Sequence, residues 1–221
     1  MEIRWDWIAD HLDDIALALW QHIVLTAVPL AIGFVISLGL AIWAIRKPWV
    51  YGPVTAVTGI LYTIPSLAAF ALLVPIFGFS LLTAFIPLTT YTLLILFRNI
   101  VAGFQSVPRE VLEAADGMGY PPRERLLRVE IPLAVPLMFA GLRLAAVTLI
   151  GLATVVSILG STYGGLGQLI TDGLQTFFPT KYVLGGVLSV LLALIVDIAF
   201  VRIERRATPW ARARAEEAAP A

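Results

Sequence analysis

Of the side chains that usually carry covalent catalysis, this sequence offers two lysines, two histidines and no cysteine. A phosphate-binding loop of the form G-x-x-x-x-G-K-[ST] needs a lysine directly after glycine, so that backbone amides cradle the phosphates while the ammonium neutralises them. Lys47 follows Arg46 and Lys181 follows Thr180, so neither can serve. Any ATP hydrolysis that drives this protein must lie on another chain. There is no G-x-S-x-G nucleophile elbow, and His22 has no nucleophile arranged with it, which argues against a hydrolase. Without cysteine there are no disulfides, no thiol chemistry and no Cys-ligated metal, and His11 and His22 are too few and too far apart for a metal site. We expect no catalytic residue, no metal, no cofactor and no nucleic-acid partner.

What remains are polar groups set in apolar surroundings. Arg143 and Asp197 each interrupt a long apolar run, where a charge is costly unless paired or hydrated. A charge pair holding two helices together is the first reading, and a substrate-binding role is the alternative. Thr63-Ile64-Pro65-Ser66 lies within another apolar run. Proline there removes a backbone hydrogen bond and crowds the preceding turn, so the helix must kink. Thr63, Ser66 or water can satisfy the freed carbonyl. The break either packs within the fold or faces a translocation path, and both can hold at once. Gly164-Gly165-Leu166-Gly167 permits tight backbone turns, as part of a gate or as a compact connector.

The longest polar interlude is 108–132, PREVLEAADGMGYPPRERLLRVEIP, with nine of the thirty charged residues. It reads as two short helices folded into an elbow. Ser106 and Pro108 suit a helix start, and Glu110 and Glu113 fall in its first turns, where the helix dipole favours anions. Gly117 and Gly119 let the chain leave that helix, Pro122 opens the second, and Glu124 and Arg128 form an i, i+4 pair. Pro132 begins the next apolar run. Such an elbow is a docking surface and not a reaction centre.

The elements that must position these groups follow from composition. Apolar residues make up 59% and charged residues 14%, against roughly half and a quarter in soluble domains. The chain is an all-α integral membrane protein of about five transmembrane helices. Residues 1–20 interleave Trp5, Trp7 and Trp20 with four aspartates, which suits an interfacial lead-in and forbids a hydrocarbon span. The expected spans are 23–45, 51–74, 81–97, 132–159 and 183–201, each near the ~20 residues that a bilayer needs. A turn at 75–80 separates the second and third. Phe177, Phe178 and Tyr182 fit an interface belt, and the charged tail should fray past Pro209. We divide the chain into the lead-in 1–20, a transmembrane domain 21–204 and a cytoplasmic tail 205–221. No cleavable signal peptide is evident in the acidic first residues.

Orientation follows from Lys and Arg. With the elbow in the cytoplasm, Arg46, Lys47, Arg98, Arg109, Arg123, Arg125, Arg128 and five tail arginines, 202, 205, 206, 212 and 214, fall inside. Only Arg4 and Lys181 fall outside, so the N-terminus is external.

Glu113-Ala114-Ala115, three residues, Gly119, nine residues, then Val129-Glu130-Ile131-Pro132 resembles the EAA loop of bacterial ABC-importer permeases, with only Val for Ile and Ile for Leu as departures. The order of His22-Ile-Val-Leu-Thr26, Thr63-Ile-Pro-Ser66, Leu96-Phe-Arg-Asn99, the elbow and Tyr163-Gly-Gly-Leu-Gly167 resembles the osmoprotectant branch, the permeases for glycine betaine, carnitine and choline. Where relatives often read Gly-Ala-Gly-Gly-Leu-Gly, this chain has Ser161-Thr-Tyr163 before the Gly-Gly. The resemblance implies that the elbow is a coupling helix docking a separate ATP-binding cassette ATPase, through Glu113, Ala114, Ala115, Gly119, Arg123, Ile131 and Pro132. It implies a second permease copy or paralogue, an extracytoplasmic substrate-binding protein, and a path or gate at Thr63, Pro65, Ser66, Gly164, Gly165 and Gly167. The expected setting is the bacterial inner membrane, in contact with lipid. The alternatives are a permease for an amino acid such as methionine, a passive osmotic channel, or a membrane protein that merely docks a cytosolic partner. Stimulation of uptake by ATP and a binding protein separates the importers from the others.

Overall fold

A computed structural model describes residues 2–160 and 163–210, and all regular structure among them is helical. The lead-in is α1, Trp5–Asp10, followed at once by α2, Leu12–Arg46. Only His11 interrupts them, so the first span is continuous with most of the lead-in and starts well before Ile23. No glycine or proline lies between Leu12 and Val28 to stop it, and Asp13 and Asp14 sit in its first turn, where anions are favoured. A one-turn 3₁₀ segment, Pro48–Val50, leads into α3, Tyr51–Thr63, and α4, Ser66–Phe77. Pro75 lies inside α4, so the turn expected at 75–80 narrows to 78–80, with Gly78 at φ 62°.

Helix α5, Leu81–Gln105, runs well past Phe97. Asn99 stays helical by donating its side-chain amide to the Ile95 carbonyl at 2.8 Å, and no breaker appears before Ser106-Val107-Pro108. The elbow holds α6, Arg109–Gly117, and α7, Pro122–Arg125. A π turn, Leu126–Glu130, joins α7 to α8, Ile131–Val156, and a 3₁₀ turn follows at Ser157–Leu159. Pro132 therefore does not start a helix. It sits inside one, and the widened turn before it accommodates a residue with no amide to donate. Helix α9, Leu166–Gln175, starts at the end of the glycine run and lies between the expected fourth and fifth spans, and α10 is Pro179–Ala207. Ser161, Thr162 and the tail beyond Trp210, with Arg212 and Arg214 and the expected fraying, lie outside the described residues.

Among the described residues, four stretches are long and apolar enough to cross a membrane: Leu12–Arg46, Leu81–Gln105, Pro122–Leu159 and Pro179–Ala207. Helices α3 and α4 pass the same test only as a pair, and they meet at 90°, the shape of a broken span or of a re-entrant loop. Helices α2, α5 and α8 form the core, and small residues set their spacing. A Cβ on Gly33 would lie 1.9 Å from Thr92 Oγ1, and one on Gly141 would lie 2.6 Å from Asn99 Cβ. Lipid tails offer no hydrophobic drive between helices, so such close backbone approach is what holds spans together.

Candidate functional site

Helix α6 ends in a backbone motif that the elbow's sequence encodes directly. The Gly119 amide donates to the Asp116 carbonyl at 3.0 Å and the Tyr120 amide to the Ala115 carbonyl at 3.2 Å, the paired bonds of a Schellman end. Gly119 takes φ 81° with open space around it, so only backbone strain would oppose a side chain there. Gly117 stays helical. Ser106 does not cap α6. Its hydroxyl donates to the Gly103 carbonyl at 2.7 Å, closing the end of α5, while the carbonyl of Pro108 accepts from Val111 and Leu112.

The two alanines of the motif point to different places. Ala115 is buried against its own chain, at 1% exposure, whereas Ala114 and Glu113 are exposed. Own-chain packing therefore accounts for a small residue at 115. Glu113 pairs with Arg109 at 3.2 Å, and Glu124 with Arg128 at 3.0 Å as its spacing requires. Arg123 is exposed, and Ile131 and Pro132 are half-buried at the start of α8. The sequence reading passed over Arg125. Its Nη1 donates to both oxygens of Asp116, at 2.7 and 2.6 Å, and its Nε donates to Glu130 Oε1 at 2.9 Å. These partners are nine and five residues away, so the i, i+4 pattern does not reveal them. Behind the elbow lies a cavity of ≈ 660 Å³, edged by Tyr51, Phe104, Leu112, Leu126, Arg125 and Glu130.

The second polar feature is the break between α3 and α4. The residue before a proline is pushed towards extended backbone, and Ile64 sits at ψ 125° with Pro65 at ψ 134°. Two extended residues in succession turn the chain by 90°, far more than a proline kink alone. The carbonyls freed by this turn find partners within the chain. Thr63 Oγ1 donates to Ile60 at 2.7 Å, the Ile64 amide turns to Leu61, and the hydroxyl of Tyr91 on α5 donates to the Ile64 carbonyl. Thr63 thus acts as expected, and Tyr91 takes the part expected of Ser66 or water. Thr63 and Pro65 are exposed and Ser66 is half-buried, so the break opens away from this chain's core.

Residues 33–209 match the family described as binding-protein-dependent transport system inner membrane component. The chain belongs to that family. The permease is 37% identical to the carnitine transport permease protein OpuCB of Listeria monocytogenes over 199 residues, 90% of each chain. It is 33% identical to the choline transport system permease protein OpuBB of Bacillus subtilis (strain 168), again over 90% of each. Among solved structures it superposes on the MetNI methionine ABC transporter in an inward-facing conformation with a TM-score of 0.78, at 24% identity, over 90% of this chain and 98% of that one. That last likeness speaks to the fold alone.

Within the permease, Arg143 and Asp197 do meet. Arg143 Nε donates to Asp197 Oδ1 at 2.8 Å and Nη2 to Oδ2 at 3.1 Å, a two-point bond between α8 and α10. The pair lies in an otherwise apolar groove with Leu144, Val147, Val190 and Leu194. The glycine loop is fastened rather than free. The Gly165 amide donates to Gln21 Oε1 at 3.0 Å, and Ser157 Oγ donates to the Gly164 carbonyl at 3.0 Å. A Cβ on Gly164 would lie 2.0 Å from Gln21 Oε1, and one on Gly167 would lie 2.4 Å from the Thr154 carbonyl. All three glycines are buried, so the described geometry favours the compact connector. His22, fully buried beside this loop, bonds the Ile150 carbonyl of α8 through Nε2 at 3.1 Å. Gln21 and His22 are fasteners that no local pattern in the sequence flags.

Proposed function

We propose that this permease forms the translocation pathway of an ATP-driven importer for a quaternary-ammonium osmoprotectant such as glycine betaine, choline or carnitine. The observation that carries the solute class is the likeness to carnitine and choline permeases across nine-tenths of both chains. In this reading a separate ATP-binding cassette ATPase docks on the elbow, against the exposed Glu113 and Ala114. An extracytoplasmic binding protein delivers solute at the opposite end, and a second permease copy or paralogue completes the pathway. The exposed, broken span at Thr63, Pro65 and Ser66 lines that pathway, because a half-helix start at membrane depth presents uncompensated backbone amides to a polar solute. The glycines at 164, 165 and 167 hold the far end of the path closed to slack. In this reading the chain crosses the bacterial inner membrane five times, with the N-terminus outside and the elbow and tail inside, which the distribution of Lys and Arg supports.

Three measurements test this. The permease is reconstituted with its ATPase and binding protein, and uptake of glycine betaine, choline, carnitine and methionine is compared. Uptake of methionine alone overturns the solute class. With no native cysteine in the chain, a cysteine at Phe177 should react with an impermeant thiol reagent from outside and one at Asp116 only from inside. The reverse pattern overturns the topology. Finally, Ala114→Trp should release the ATPase during purification while the permease remains folded in the membrane. Retention of the ATPase by that variant removes the docking role from α6.

A further inference from the structure

The elbow's docking helix is connected to the spans by very little. Helix α6 follows α5 after 106–108, ends at Gly117, and has a cavity of ≈ 660 Å³ beside it at Leu112, with Ala115 as its one buried side chain. Beside the packing of Ala115, one guanidinium bridges α6 to the turn that opens α8. Arg125 grips both oxygens of Asp116, the penultimate residue of α6, and with its Nε holds Glu130, the last residue before α8. Glu130 is the most enclosed member of the three, with its side chain 13% exposed.

The π turn makes this grip possible. In an α-helix of 3.6 residues per turn, positions five apart lie about 140° apart around the axis and face different ways. A turn closed by i→i+5 bonds brings such positions almost into line. Here the Ile131 amide bonds the Leu126 carbonyl five residues back, and Arg125 and Glu130 lie on one face as a result. The same widened turn absorbs Pro132, so one proline explains both the irregular helix and the ion pair that it permits.

We infer that Arg125 is a positioning residue of the importer. It acts as a strut that carries displacement of the docked ATPase from α6 into α8, in place of slack in the connecting loop. This rests on the elbow being the docking site proposed above. The strut touches neither solute nor nucleotide. Its loss leaves docking and basal ATP hydrolysis in place and separates hydrolysis from transport.

The test uses the reconstituted complex of permease, ATPase and binding protein. Arg125→Gln should keep the ATPase bound at wild-type stoichiometry while solute taken up per ATP hydrolysed falls roughly tenfold, the scale of a coupling network losing one member. Arg125→Lys, a point charge that cannot bridge two carboxylates in the same fork, should be intermediate. Asp116→Asn combined with Arg125→Gln should be no worse than Arg125→Gln alone, because one strut cannot be broken twice. An unchanged solute-to-ATP ratio in Arg125→Gln overturns the inference. So does release of the ATPase, which would make Arg125 a docking or folding residue, and so does an additive loss in the double variant. If Ala114→Trp keeps the ATPase bound, the docking reading fails and the strut goes with it. If Ala114→Trp releases the ATPase while Arg125→Gln still couples, only the strut fails.

Discussion

Two of the glycine-containing turns of this permease, Gly119 in the elbow and 164–167 at the opposite end, show glycine serving opposite purposes. At Gly119 the φ is positive and the space is empty. The backbone needs freedom there, and nothing crowds it. At 164–167 the φ of Gly164 and Gly165 is positive too, yet a side chain would collide with Gln21, His22 or the Thr154 carbonyl. The elbow is held by exposed ion pairs that salt and partners can reach, whereas the far turn is held by buried hydrogen bonds and contact. The described contacts therefore fasten the glycine-rich end more tightly than the charged end, which sets where exchange and salt should act.

The comparison can be broken most sharply at Gly167. Gly167→Val forces a side chain against a backbone carbonyl that cannot step aside, and we expect a loss of about 3 kcal/mol or more. Reduced thermal stability in detergent checks it, and a variant that melts like the wild type would mean that the far turn is loose after all. Next is Arg143→Ala, which leaves the Asp197 carboxylate without its partner in an otherwise apolar groove, and a smaller drop in melting temperature is expected. Arg143→Ala with Asp197→Ala should melt higher than the single variant, which separates stranding from lost packing. Gly119→Ala should cost only about 1 kcal/mol, the strain of a side chain in left-handed backbone. Hydrogen exchange should then quicken in α6 and not in α9. The smallest effect is that of salt. Raising ionic strength from 0.1 to 1 M shortens the screening length from about 10 to 3 Å. Exchange in α6 should rise modestly, with none at 164–167, and equal responses at both ends would erase the distinction.

Much of this was legible in the sequence because it was local. The elbow's motif and its Glu124–Arg128 pair need only residues within a turn or two of each other, and four of the spans announce themselves by length and hydropathy. The Arg143–Asp197 pair was also legible, since two isolated charges at depth have few alternatives to each other. What stayed hidden depends on distant partners. Gln21 meets Gly165 across 144 positions, and Tyr91 meets Ile64 across 27. Without those partners, 164–167 reads as either part of a gate or a compact connector, and the break at Pro65 reads as an ordinary kink. The inward turn of Ala115 was hidden for the same reason, since its spacing places it beside Ala114 but does not say which of them faces the fold. The Arg125 strut was concealed differently, because its five-residue spacing becomes a contact only once the helix has departed from α geometry.

Helix α2 has one more consequence. Its uncharged stretch, 15–45, is about 46 Å long at ~1.5 Å per residue, while a bilayer's hydrocarbon layer is about 30 Å thick. This hydrophobic mismatch must be met by tilt or by thickening of the surrounding lipid. Gly33 lets α2 approach Thr92 of α5 with no space for a side chain between them, so a change in bilayer thickness that rights or lowers α2 is expected to be felt by α5 through that contact. Acyl-chain length thus becomes a mechanical input to the same helix that ends at the elbow.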